Sequence, residues 1–124
     1  MSLHPATYVL RIPQRASLRE VIRVPFDGSG CEAFVEVWDS DKRRRKLLDL
    51  TVEWVDRNEE WDPLDPTKIR ATLALTATWE ETRAVTKDGY WDLLWVWPDE
   101  ERDYVLEGPA VVNRGVTEAL EVTP

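Results

Sequence analysis

Residues 88–98 read DGYWDLLWVWP and place three tryptophans within seven residues. The pattern predicts a β-strand over residues 90–97, whose successive side chains point to opposite faces. The strand then has two mostly apolar faces, formed by Trp91, Leu93, Trp95 and Trp97 and by Tyr90, Asp92, Leu94 and Val96. Such a strand is typically covered on both sides, by a partner sheet and by a loop, a helical turn or another chain.

Similar alternation recurs on both sides of this stretch, and turn-forming residues separate the segments. It predicts further short strands at 7–12, 18–24, 31–39, 47–57, 69–75, 103–107 and 110–113, with a kink at Gly108-Pro109. Thr78 followed by Glu81 has the form of a capping box and predicts one short helical turn at 78–85. We therefore expect a single all-β domain, residues 1–124, folded as an antiparallel β-sandwich of seven or eight strands.

The chain is acidic, with 16 basic and 24 acidic side chains and a net charge of −8. Binding to nucleic acid needs positive potential, so we expect no nucleic-acid partner. We expect no membrane contact, because no apolar run approaches the roughly 20 residues of a spanning helix. The N-terminal residues show no secretion signal, and the lone cysteine excludes an internal disulfide.

Candidate catalytic and metal-binding residues are sparse. His4 is the sole histidine, and Cys31 has no histidine near the predicted core to act as a base, so we read it as a small buried thiol. Neighbouring carboxylates at 59–60, 80–81 and 99–101 fall in polar turns rather than on facing walls of a cleft. We therefore predict no enzyme activity, no catalytic residue, no metal ligand and no cofactor.

The side chains that remain conspicuous are tryptophans and a run of basic residues. Residues 42–46 read KRRRK at a predicted hairpin tip, which is a solvated turn, a docking site for an acidic partner or a nucleic-acid patch, the last disfavoured by the acidic chain. Seven tryptophans are difficult to bury in a domain of 124 residues, and Trp and Arg commonly anchor protein interfaces. The candidate interface residues are Trp61, Trp95, Trp97, Arg43, Arg44 and Arg45.

The C-terminal third resembles small β-sandwich structural proteins of bacteriophage tails and baseplates, of the fibre-attachment or adaptor type. The matching segments are 73–76 (LALT), 78–83, 89–93 (GYWDL), a hairpin over 98–102, 105–112 (VLEGPAVV) and 116–117 (VT). The opening segments 18–24, 27–30 and Phe34 are similar to the first hairpin of that family. The tryptophan content and the KRRRK tip depart from the family pattern.

The resemblance implies a virion structural protein without catalytic residues, located in the virion and assembled in the host cytoplasm. Its partners would be other virion structural proteins, and we expect a homo-oligomer. Two alternatives remain open. The chain could be a carbohydrate-binding β-sandwich module, with exposed tryptophans as the sugar platform, or a capsid-decorating or neck protein of the same particle.

Overall fold

The computed structural model describes residues 5–114, which form eight strands and one short helix. In chain order these are β1 (Ala6–Thr7), β2 (Leu10–Pro13), β3 (Leu18–Val24), β4 (Glu32–Trp38), β5 (Lys46–Glu60), β6 (Ile69–Ala77), α1 (Trp79–Arg83), β7 (Gly89–Val96) and β8 (Arg102–Asn113). The prediction of a mostly β chain with one short helical turn is confirmed. His4 and the segment 116–117 lie outside the described residues.

The strands form one sheet in the order β1-β8-β7-β4-β5-β6-β3, with β2 also paired to β8. Both β1 and β2 run parallel to β8, whereas every other described pair is antiparallel. The sheet is therefore mixed, and the prediction of an antiparallel architecture was wrong. Alternation specifies the two faces of a strand but not its direction, and no hairpin joins β2 to β8 to impose one.

The N-terminal segment forms two short strands instead of the single strand predicted at 7–12. Tyr8 lies at the break, where its carbonyl accepts a hydrogen bond of 2.8 Å from Nε1 of Trp91. Gly108 makes this approach possible, because a Cβ atom there would lie 2.3 Å from the Tyr8 carbonyl oxygen. The predicted kink at Gly108-Pro109 is therefore not a break in β8 but the place where β8 runs beside the gap between β1 and β2.

The sheet curls about β5, which is longer than predicted and has different neighbours along its length. Its first part pairs with β4 up to Leu50, and the part from Thr51 to Glu60 pairs with β6. The ladder between β5 and β6 shifts register twice, at Trp54–Asp56 and at Asp56–Glu59. One apolar cluster combines side chains from both parts of the sheet, including Ile22 and Leu73 with Val35 and Trp91.

One of the two faces predicted for the strand over residues 90–97 is buried except at Trp97, which follows β7 and is half-buried. Trp91, Leu93 and Trp95 have no exposed surface. Trp95 makes edge contacts with the rings of Trp54, Trp97 and Phe26, at centroid distances of 5.5, 5.9 and 6.1 Å. Edge-to-face arrangements of this kind stabilise aromatic pairs beyond simple burial. The three tryptophans of residues 88–98 therefore belong mainly to the hydrophobic core.

Two smaller predictions are also confirmed. Thr78 and Glu81 form a reciprocal capping box, with hydrogen bonds of 3.2 Å to the Glu81 amide and 2.9 Å to the Thr78 amide. Thr82, fully buried in α1, donates a hydrogen bond of 2.8 Å to the carbonyl of Ala16 and so joins the helix to the turn before β3. Cys31 is buried, as expected of a small core thiol.

Candidate interaction surfaces at the two ends of the sheet

The strand register places two charged turns at opposite ends of the same strands. β4 and β7 pair with Trp38 opposite Tyr90 at one end and Glu32 opposite Val96 at the other. Residues 39–45, here named the basic loop, join β4 to β5 at the first end. Residues 97–101, here named the acidic turn, join β7 to β8 at the second. Residues 61–68, named the Asp-Pro loop, connect β5 to β6.

Backbone hydrogen bonds close the basic loop. The Asp39 amide donates to the Arg45 carbonyl at 2.9 Å, and the Arg45 amide donates to Oδ1 of Asp39 at 3.2 Å. Arg43 adopts a positive φ of 51° and donates its amide to the Ser40 carbonyl at 3.1 Å. These hydrogen bonds fix the backbone of the loop, so the positions from which its side chains project are set before any partner binds.

Arg43 folds back onto the outer face of the sheet. Its Nη2 atom lies 2.5 Å from Oδ2 of Asp92, and its Nη1 atom donates a hydrogen bond of 3.1 Å to the Tyr104 hydroxyl. The guanidinium also lies over the Tyr104 ring, 4.4 Å from the centroid. The loop therefore covers the second face of β7, and Arg43 makes intramolecular contacts rather than pointing away from the domain.

The outer face of β7 has a perturbed electrostatic environment. Burial raises the pKa of Asp92 above its ordinary value, while the positive charge of Arg43 acts in the opposite direction. The neighbouring carboxylate of Glu36 also raises this pKa. Burial, with a hydrogen bond to Glu107, raises the pKa of Tyr90 to about 12. Burial is the largest cause of both pKa shifts, and the positive charge of Arg43 opposes both of them.

The remaining cations of the basic loop point to solvent. Lys42, Arg44 and Arg45 are all exposed, and none of them forms an ion pair with another residue in the described range 5–114. Lys46, at the start of β5, pairs instead with Glu36 and Asp49 at 3.3 and 3.2 Å. Three cations that form no ion pair among the described residues thus lie together in a loop that also contains Asp39 and Asp41.

Hydrogen bonds likewise fix the acidic turn. The Trp97 amide donates to the Glu101 carbonyl at 2.8 Å, and the Glu100 amide donates to the Trp97 carbonyl at 2.9 Å. Oδ1 of Asp99 accepts from the Glu101 amide at 3.0 Å. A shallow, mainly apolar groove of about 420 Å³ lies here, lined by Trp97, Pro98, Asp99 and Glu101.

The Asp-Pro loop presents apolar side chains at this same end of the domain. Leu64 is 92% exposed and Trp61 is 44% exposed. Two Asx turns hold the loop, with Asp62 Oδ1 accepting from the Leu64 amide at 2.9 Å and Asp65 Oδ1 from the Thr67 amide at 3.0 Å. A cleft beside Trp61 is lined further by Pro25, Asp27, Thr67, Lys68 and Ile69.

The six predicted interface residues differ in their exposure to solvent and in their contacts within the domain. Arg44, Arg45 and Trp61 are exposed, whereas Trp97 is half-buried and donates an indole hydrogen bond of 2.8 Å to Asp103. Arg43 is tied to Asp92, and Trp95 is fully buried, so neither Trp95 ring face is at the surface. Sequence reasoning missed Leu64, although an apolar side chain between two Asp-Pro pairs was the available signal.

Residues 5–114 contain no group of three or more His, Cys, Asp and Glu side chains arranged to hold a metal ion. Among the same residues, no helix has the length and apolar character needed to cross a bilayer. Burial raises the pKa of the Cys31 thiol.

Comparison with known proteins gave no relative, since no family model matches the chain and no curated protein matches it.

Proposed function

We propose that this chain is a structural subunit of a bacteriophage particle, a tail or baseplate component or a fibre adaptor, which acts by protein–protein assembly. The observation that carries the proposal is Leu64, which is 92% exposed on a loop held by two Asx turns. Leu64 shares this loop with Trp61, which is 44% exposed, and apolar side chains exposed together on one loop are typical of a surface that another protein covers.

The residues behind the phage resemblance have architectural roles here. Asp92 anchors the basic loop through Arg43, and Gly108 lets the Tyr8 carbonyl reach Trp91. Asp92 and Gly108, two of the residues that carry the resemblance, are therefore residues that build the fold. We infer that the two parts of the curled sheet pack as a β-sandwich about their common core.

The carbohydrate-binding alternative has one observation in its favour, the exposed ring of Trp61. Lys68 and Arg70 lie against that ring, each 5.7 Å from its centroid, and Trp91 and Trp95 are buried in the core. A sugar platform usually needs a ring face that is open to the ligand. The capsid-decorating or neck assignment is a variant of the main proposal and rests on the same surfaces.

Immunogold electron microscopy of purified particles from the source culture tests the proposal. Antibodies raised against the purified chain should label the tail or baseplate at regular positions, while pre-immune serum should not. A glycan array run in parallel, with Trp61→Ala as the matched variant, tests the alternative. Unlabelled particles, together with Trp61-dependent glycan binding, would replace the structural role with the binding-module role.

A further inference from the structure

We propose that copies of this chain associate head to tail, with the basic loop of one copy docked in the groove of the acidic turn of the next. This inference rests on the proposed assembly function and adds the identity of one partner, a second copy of the chain. It also assigns the two surfaces in contact, which are unlike each other: the basic loop of one copy and the acidic turn of the next.

The basic loop supplies the donor side of this contact. Lys42, Arg44 and Arg45 are exposed and have no ion-pair partner among the described residues. The Arg43–Asp92 pair and the closing hydrogen bonds between Asp39 and Arg45 fix the loop, so little conformational entropy is lost on docking. Charges that no internal partner satisfies are available to a complementary surface.

The acidic turn supplies the acceptor side. Its groove is lined by the apolar side chains of Trp97 and Pro98 and by the acidic residues Asp99 and Glu101, and Glu100 is exposed next to them in the chain. An arginine guanidinium fits such a site, because it stacks on an indole face and pairs with a carboxylate at its edge. The turn contains three carboxylates and no cation, so it is complementary to the basic loop.

The two surfaces of one copy cannot meet each other. They lie at opposite ends of β4 and β7, and a strand of seven or eight residues spans about 25 Å. The contact must therefore be between copies, and an open assembly keeps one unused surface at each of its two ends. Contacts between unlike surfaces produce rings when the rotation closes and open filaments when it does not.

The local charges of the two surfaces favour this orientation over contacts between like ends. The net charge of −8 opposes every approach of two copies, and a contact between two acidic turns or between two basic loops adds local repulsion. Only the contact of unlike ends brings opposite charges together.

Two variants, each of which changes the charges of one of the two surfaces, provide the test. Arg44→Glu with Arg45→Glu reverses the basic loop. Asp99→Asn with Glu100→Arg changes the acidic turn, and the asparagine keeps the acceptor oxygen that bonds the Glu101 amide. Arg11→Glu with Arg19→Glu, on exposed positions of β2 and β3, gives the same change in net charge as the first variant and is the matched control.

Masses are measured by sedimentation velocity at low ionic strength over a range of concentrations, with thermal melting as the check on folding. We expect the parent and the control to form species larger than dimers, with association weakened by added salt. Each end variant alone should associate about tenfold or more weakly than the parent. An equimolar mixture should form a two-chain complex and stop there, since each variant retains one intact end and the other is blocked.

A mixture that stays monomeric would overturn the inference, as would end variants that associate like the parent or a parent that is monomeric at every concentration. Preferential binding of the basic loop to a different acidic protein, with no self-association, would overturn it as well. Immunogold labelling is independent of these results. Labelled particles with a failed mixing experiment would leave the virion role standing and remove the head-to-tail contact alone.

Discussion

Nη2 of Arg43 lies 2.5 Å from Oδ2 of Asp92, and this ion pair fastens the basic loop to the outer face of β7. The Asp92 side chain is 2% exposed and that of Arg43 is 33% exposed, so the carboxylate depends on the arginine much more than the reverse. An acid that would otherwise be costly to bury thereby becomes the anchor of a surface loop.

Arg43→Ala should lower the free energy of unfolding by about 2 kcal/mol near neutral pH, because it leaves the buried Asp92 carboxylate without its partner. Urea denaturation followed by tryptophan fluorescence measures the change. The neighbouring exposed Arg44→Ala is the control, with an expected change within about 0.5 kcal/mol. Equal effects at the two positions would show that the ion pair does not anchor the loop.

The cost of Arg43→Ala should depend on pH. Because burial raises the pKa of Asp92 above 3.8, the folded protein holds that proton more tightly than the unfolded chain does. The contribution from Asp92 is fully present below its unfolded pKa and is lost as the pH rises through the higher folded pKa. Removing the arginine charge raises the folded pKa further, so the loss of stability should be smaller at about pH 4 than at about pH 7. A pH-independent loss would contradict this assignment.

Trp95→Ala should destabilise the domain by about 4 kcal/mol, since the ring is fully buried among Phe26, Trp54 and Trp97. Trp61→Ala, at an exposed position on the Asp-Pro loop, should change stability by less than about 1 kcal/mol. Thermal and urea denaturation of both variants compare a core ring with a surface ring. A fully stable Trp95→Ala protein would place that ring outside the core.

Gly108→Ala should displace the N-terminal segment from β8 and cost about 2 kcal/mol, because the new Cβ atom would meet the Tyr8 carbonyl at 2.3 Å. The same shift breaks the hydrogen bond from Trp91 to Tyr8. Hydrogen exchange should then accelerate at the Tyr8 amide, which donates to the Glu107 carbonyl. Pro109→Ala, at the exposed neighbour, should leave that exchange rate unchanged.

Cys31 should react with an aromatic disulfide reagent more than about tenfold slower in the folded protein than in denaturant. Burial shields the sulfur and raises the pKa of the thiol, so less of it is thiolate at neutral pH. The rate of absorbance change after adding reagent measures this difference. Similar rates in the two states would show that the thiol is accessible.

Sequence alone predicted the parts of the fold that depend on local patterns. The alternation over Leu18–Val24 matches the bounds of β3, and the pairing of Thr78 with Glu81 marked the start of α1. The apolar inner face of β7 followed from its period of two. In each case the residues that specify the element lie within it or next to it.

The remaining features depend on residues that are distant in sequence. The parallel pairing of β2 with β8 joins Leu10 to Ala110, and no local pattern encodes the direction of such a pair. The extension of β5 to Glu60 has no apolar alternation, because its last residues are largely exposed and polar. Likewise the role of Arg43 could not be separated from that of Arg44, since only the fold places Asp92 beside one of them.

Light scattering of the purified chain, over a range of concentrations at low and high salt, tests most directly whether copies of the protein assemble with one another. The account predicts a mass that rises with concentration at low salt and returns toward that of one chain as salt screens the charged ends. A strictly monomeric chain under all of these conditions would contradict it.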